Sequence, residues 1–235
     1  KSGDEKGQDE NEKWGYMIDP VNKIGYIRLT GFTETTAPDM EKQLDNLEER
    51  GLKALILDLR DNSGGYLSTA SAIVDMFVEE GLIVKSKPRW GTASYEMAHK
   101  RGTHGDYPLI VLVNGGSASA SEIVAGALKD KKYDRAVLIG SRTYGKGSVQ
   151  TVIPQSGDGS QLKYTMAYYH LPSDQRVKNR YIMKRQDRKD WGIAPDVEVE
   201  LTGEEFKKRN EAQWSNDILV KADHDGEKRP ITRHN

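Results

Sequence analysis

Twice in this chain an apolar run of strand length gives way to an asparagine- and glycine-rich loop, and then to a helical pattern. No other feature restricts the fold as much. The first unit is Lys53–Leu59 (KALILDL), then Arg60-Asp-Asn-Ser-Gly-Gly65, then Leu67, Ala70, Ile73, Val74 and Phe77 at helical spacing. The second is Leu109–Val113 (LIVLV), then Asn114-Gly-Gly-Ser-Ala-Ser119, then Ile123, Val124, Ala127 and Leu128. Near-continuous apolar runs belong to strands covered on both faces, as in parallel sheets flanked by crossover helices. The flanking sequence keeps the rhythm. Ile24–Leu29 reads as a strand, and Thr36-Ala-Pro-Asp39 opens a helix with a T-x-x-D cap and a first-turn proline. Met40, Leu44 and Leu47 line that helix and Gly51 ends it. Leu82–Val84, Ala136–Ile139, Ser148–Ile153, Lys163–His170 and Val197–Leu201 read as further strands, and Gly203–Trp214 as a last helix. The pattern predicts an α/β fold: a layered βαβ domain with a mostly parallel central sheet.

Composition narrows the class. The 235 residues carry 35 Lys+Arg against 36 Asp+Glu, a formal charge of −1, which argues against a dedicated nucleic-acid binder. The longest aliphatic runs fall far short of a membrane span of roughly 20 residues. No export signal is visible and cysteine is absent, which removes thiolate chemistry and Cys-based metal sites. Residues 1–13 hold 8 charged side chains and no aliphatic or aromatic one, so they read as a charged, disordered linker. Residues 220–235 read as a polar C-terminal tail, and 14–219 as the domain proper.

In sheets of this kind active sites collect beyond the carboxyl ends of the strands, where both glycine-rich loops stand. Each can present backbone N–H groups to an anion, as an oxyanion hole does. Neither matches a phosphate-binding fingerprint. Ser119, after a sharp Gly-Gly turn, is the first candidate nucleophile; Ser117 and Ser121 compete, and Ser119-x-x-Glu122 also reads as a purely structural capping box. Of the histidines, His99 and His104 flank a stretch that reads as a mobile loop, His170 ends a strand, and His224 and His234 lie in or beside the tail. None suggests a Ser-His-Asp triad, and no His/Asp/Glu cluster has metal-ligand spacing. Lys146, in Thr143-Tyr-Gly-Lys-Gly147, is the alternative base. A lysine serves as a base only when desolvated enough to shed its proton, and glycines on both sides let its backbone pack close to the nucleophile helix. Gln150 lies four residues on, about 13 Å along a strand, and reaches the amine only if the segment bends back.

Four motifs then resemble one family in order. Asn114–Leu128 is similar to the nucleophile segment of the C-terminal processing, or tail-specific, serine peptidases. Ala54–Gly65 resembles their apolar strand and L-R-x-N-x-G-G loop, Tyr144–Gln150 their lysine segment, and Trp191–Val197 their G-I-x-P-D-V signature. The resemblance implies a crotonase-like core with Ser119 as nucleophile, Lys146 as general base and Gln150 orienting the lysine. It implies an oxyanion hole from the N–H of Ala120 and that of Gly64 or Gly65. It further implies an exported, periplasm-type enzyme that needs no metal or cofactor, cuts protein substrates near their C-termini, and carries an upstream PDZ module; oligomeric state is left open. Nothing before Trp14 reads as that module, so the chain is expected to be a core without it.

Two other readings remain: a non-catalytic peptide-binding module, or core latent without its PDZ domain, that accepts a strand beside Lys146; and an acyl-CoA lyase or isomerase using the same oxyanion loops. Residues 176–190 (RVKNRYIMKRQDRKD) carry 7 basic and 2 acidic residues. They read as a solvated loop or hairpin, with attraction of an anionic partner as the rival.

Overall fold

The computed structural model describes residues 16–154, 159–217, 219–222 and 228–231. In chain order these form β1 (Met17–Asp19), β2 (Ile24–Arg28), α1 (Thr36–Glu49), β3 (Ala54–Asp58), α2 (Leu67–Asp75), β4 (Gly81–Pro88), β5 (Ser94–Ala98), β6 (Leu109–Val113) and α3 (Ala120–Lys129). There follow β7 (Val137–Gly140), β8 (Ser148–Pro154), β9 (Gln161–His170), α4 (Arg180–Arg185), β10 (Val197–Glu198), α5 (Gly203–Asp217), β11 (Leu219–Ala222) and β12 (Lys228–Ile231).

The central sheet has the order β1-β2-β3-β6-β7-β10. Only β1 runs antiparallel to its neighbour; β2, β3, β6, β7 and β10 are parallel, as the alternation of strand and helix requires. Leu57 sits between Ile27 and Val111, and Val111 beside Leu138, so one row of aliphatic side chains crosses the sheet. That row joins a single core with Met40, Leu44 and Leu47 of α1, Ile73 and Val74 of α2, and Ile123, Val124 and Leu128 of α3. Because β3 and β6 are adjacent and in register to Asp58 opposite Leu112, their two following loops emerge side by side. The fold puts the glycine-rich loops together by this register alone.

The strands at Leu82–Val84, Ser148–Ile153 and Lys163–His170 form a second, antiparallel sheet, β5-β4-β9-β8, with β8 at its edge. The apolar runs are not buried on both faces: Leu55, Leu57, Val111 and Val113 are fully or almost fully buried, whereas Ile56, Ile110 and Leu112 are only half-buried. The T-x-x-D cap does not form either. Thr35 is the N-cap and caps nothing with its side chain, while the Thr36 hydroxyl turns back to accept from the Thr33 N–H at 3.0 Å and donate to the Gly31 carbonyl at 3.2 Å. Gly51 does follow α1 at φ 85, a left-handed conformation that suits glycine. The stretch around His104 is tied down, its N–H donating to the Met76 carbonyl at 2.8 Å. Among the described residues no helix is long and apolar enough to cross a membrane. Residues 1–13 lie outside the described residues; within the polar tail β11 and β12 pair as an antiparallel hairpin.

Candidate active site

The two loops are fastened to each other by amide chemistry. Asn114 accepts the Asp61 N–H at its Oδ1 and donates from Nδ2 to Asp61 Oδ1, each at 2.9 Å. Asn62, fully buried, donates to the Leu29 carbonyl and accepts the Gly64 N–H; its own carbonyl accepts from the Ala118 N–H and the Ser121 hydroxyl. One buried asparagine thus joins the end of β2, the first loop and the turn that carries Ser119. Gly64 lies so close to that turn that a Cβ there would stand 2.8 Å from the Ala118 carbonyl oxygen and from Ser119 Cβ, and 3.1 Å from the Ala120 nitrogen.

The three serines now separate. Ser117 donates to the Leu59 carbonyl at 2.8 Å and Ser121 to the Asn62 carbonyl at 2.8 Å, so both hydroxyls serve the scaffold. Ser119 differs: it is the residue before α3 and sits at φ 56, ψ −112, a region that costs a non-glycine residue about 1–3 kcal/mol. Such strain persists only where the surroundings impose it. Here they do so through Glu122, whose Oε2 accepts the Ser119 N–H at 2.9 Å.

Glu122 is 1% exposed and does more than cap a helix. The same Oε2 accepts the Lys146 N–H at 2.7 Å, and Oε1 accepts the Gly145 N–H at 2.7 Å and the Thr143 hydroxyl at 2.6 Å. Four donors around one carboxylate satisfy its lone pairs inside the protein. The lysine loop is thereby fastened to the first turn of α3, with Lys146 half-buried. Thr143 passes the connection on, its hydroxyl oxygen accepting the Ile193 N–H at 2.7 Å. Gly192, at φ 55, permits that approach, since a Cβ there would lie 2.6 Å from Thr143 Oγ1.

Residues 23–199 match the family described as peptidase family S41. The chain belongs to this family. It is 42% identical over 182 residues to a carboxy-terminal-processing protease of Bartonella bacilliformis, covering 75% of this chain and 39% of that protein. It is 37% identical over 180 residues to a carboxy-terminal processing protease of Bacillus subtilis, covering 77% and 36%. Among solved structures, a photosystem II D1 C-terminal processing protease superposes with a TM-score of 0.65 at 35% identity, over 75% of this chain and 42% of that one. The chain thus spans about two fifths of the length of these relatives.

Gln150 is exposed on β8, immediately after an irregularity in the β8–β9 register. Among the described residues no hydrogen bond joins the side chains of Ser119, Lys146 and Gln150. The glycines flanking Lys146 make room for a different neighbour from the one expected. A Cβ at Gly147 would stand 1.9 Å from the Val177 carbonyl oxygen, and one at Gly145 would stand 2.8 Å from that of Lys178, so segment 177–180 fills the space.

The histidines are occupied elsewhere, His99 with Asp75, His104 with Glu48 and His170 with Asp174; His224 and His234 lie outside the described residues. Ligand atoms of Asp45, Glu48 and His104 approach within 4.8 Å of one another, a cluster that spacing did not reveal, but His104 Nδ1 pairs there with Glu48 at 3.2 Å. Glu122, Thr143, Asn62 and Tyr169 were not legible as site residues. Tyr169, buried on β9, donates its backbone N–H to the Gly147 carbonyl at 3.0 Å. Burial pushes its phenol up in pKa, and a hydrogen bond with the Ser119 side chain acts the other way.

Proposed function

We propose that this chain is the catalytic core of a Ser-Lys endopeptidase that cuts protein substrates near their C-termini through an acyl-enzyme. The observation that carries the reading is the shared atom: one oxygen of Glu122 receives the backbone N–H of both Ser119 and Lys146. Ser119 Oγ attacks the scissile carbonyl while the Lys146 amine takes its proton. Negative charge develops on the carbonyl oxygen, the tetrahedral intermediate collapses, and Lys146 returns the proton to the leaving amine. Water then hydrolyses the ester with Lys146 again as base, and Gln150 orients the amine.

The Ala120 N–H supplies one oxyanion donor. For the other, Gly65 is better supported than Gly64, whose N–H is already committed to Asn62 Oδ1 at 2.9 Å. Family likeness extends the proposal to an upstream PDZ module and to export. It requires no metal or cofactor.

The test is mass spectrometry of an unstructured polypeptide with an apolar C-terminus, incubated with the wild-type chain and with Ser119→Ala. Cleavage is expected near the C-terminus with the first and none with the second. Lys146→Ala should be as inactive as Ser119→Ala, and Gln150→Ala milder. Turnover close to wild type in Lys146→Ala sinks the base assignment.

A further inference from the structure

We infer that the basic face of residues 176–191 is a recruitment surface for acidic stretches of the polypeptide substrate, an inference that rests on the peptidase reading and names its substrate class. Residues 176–190 carry 7 basic and 2 acidic side chains in a chain whose formal charge is −1. Self-neutralisation accounts for only part of this excess. Asp190 takes up both Lys178 and Arg188, which hold its carboxyl well below the usual carboxylate range. The Arg176 guanidinium carbon stands over the Tyr168 ring, 3.3 Å from its centroid. Arg180, Lys184, Arg185 and Lys189 have no acidic partner among the described residues.

These cations are organised around an aromatic platform. Arg142, Arg180 and Lys184 all stand 5.5–5.9 Å from the centre of the Trp191 ring, and Arg142 donates to the Trp191 carbonyl at 2.8 Å. Arg180 and Lys184 are one helical turn apart on α4, so the ring holds them on a single side. Beside them Tyr181 and Ile182 are exposed at 62% and 47%.

The position of this face selects its ligand. The Arg180 N–H donates to the Gly145 carbonyl, and the Tyr181 and Tyr144 hydroxyls meet at 3.1 Å, so α4 rests on the loop that carries Lys146. A polypeptide seated for hydrolysis passes this loop. Free cations beside exposed apolar side chains suit Asp/Glu-rich chain with interspersed apolar residues, and a charged rim raises encounter rates in a salt-dependent way.

The experiment measures binding, so that it stands apart from turnover. Fluorescently labelled unstructured peptides, identical except for a stretch of Asp/Glu, Asn/Gln or Lys/Arg, are titrated with the Ser119→Ala chain at low and physiological salt. The acidic peptide should bind about tenfold more tightly than the neutral one at low salt, and the gap should narrow with salt. Arg180→Glu/Lys184→Glu, checked for unchanged thermal melting, should abolish the gap. Arg185→Glu/Lys189→Glu serves as the second variant should the first not fold. Equal binding of acidic and neutral peptides, or a preference untouched by both charge reversals, overturns the inference. So does phosphatidylserine vesicle binding that displaces the acidic peptide, since the face would then belong to a membrane surface. A preference for acidic peptide in a chain whose wild type cuts nothing would retain this face and remove the peptidase reading.

Discussion

The backbone N–H groups of Ser119 and Lys146 donate to one atom, Oε2 of Glu122, at 2.9 and 2.7 Å. The proposed nucleophile and base are therefore registered through the main chain, irrespective of the rotamers of their side chains. Glu122→Gln keeps the shape and replaces one acceptor by a donor that faces N–H groups. A buried polar group left unsatisfied costs about 1–3 kcal/mol. We expect the unfolding free energy to fall by an amount of that order and kcat to fall further than stability does. Chemical denaturation and single-turnover kinetics on the same preparation separate the two; a normal kcat in a destabilised protein would reduce Glu122 to a helix cap.

In the sequence alone Glu122 carries only a local, helix-capping signal. Ser119-x-x-Glu122 is a helix-start signal, and in the structure Glu122 does accept the Ser119 N–H. What periodicity does not carry is the second set of partners, Thr143, Gly145 and Lys146, more than 20 residues away. The central sheet and both loops are legible because their cause is local: apolar runs, then glycine where the backbone must turn. The split into two sheets is not, since β4, β8 and β9 have strand composition and nothing in it names their neighbours. Ser119 separates from Ser117 and Ser121 only when the buried carbonyls that occupy its rivals are seen.

The two glycines of the first loop should fail in different ways. A Cβ at Gly65 would lie 2.1 Å from the Phe32 carbonyl oxygen, at φ 153, so Gly65→Ala must displace the strand extension that Phe32 makes. Gly65→Ala is expected to express poorly or to melt well below wild type. Gly64→Ala instead presses on Ser119 Cβ and the Ala118 carbonyl, each 2.8 Å away, and should fold with a distorted turn at Ser119. Its mark is a low kcat with modest loss of melting temperature. Equal melting losses in the two variants would contradict the assignment.

The G-I-x-P-D-V signature makes a pH-dependent contribution. Burial pushes the Asp196 carboxyl up, but Lys129, 2.7 Å away, and the Leu138 N–H outweigh it, so the folded-state pKa is lowered. A depressed carboxylate stabilises the fold above its unfolded value of about 3.9 and loses that contribution as pH falls through the folded-state pKa. The stability gap between wild type and Asp196→Asn should therefore be constant from neutral pH to about pH 5 and close below about pH 4. Urea midpoints across this range test it. A gap that widens on acidification has the wrong sign.

The Tyr169 phenol neighbours the Ser119 side chain: burial raises its pKa and hydrogen bonding with Ser119 acts the other way, whereas no hydrogen bond links Ser119 to the Lys146 amine among the described residues. Attack requires the serine to exchange the first partner for the second. A neutral hydrogen bond contributes about 0.5–1.5 kcal/mol net, and if it exists only in the ground state its loss lowers the barrier by that amount. Tyr169→Phe is then expected to react about 2–10-fold faster with a fluorophosphonate that acylates serine without needing peptide recognition. Burial raises the phenol pKa, so the phenol stays protonated and the difference should persist into mildly alkaline solution. Slower labelling of the phenylalanine variant would mean instead that the phenol points Ser119 at its target, and the resting contact would then be part of the reactive arrangement.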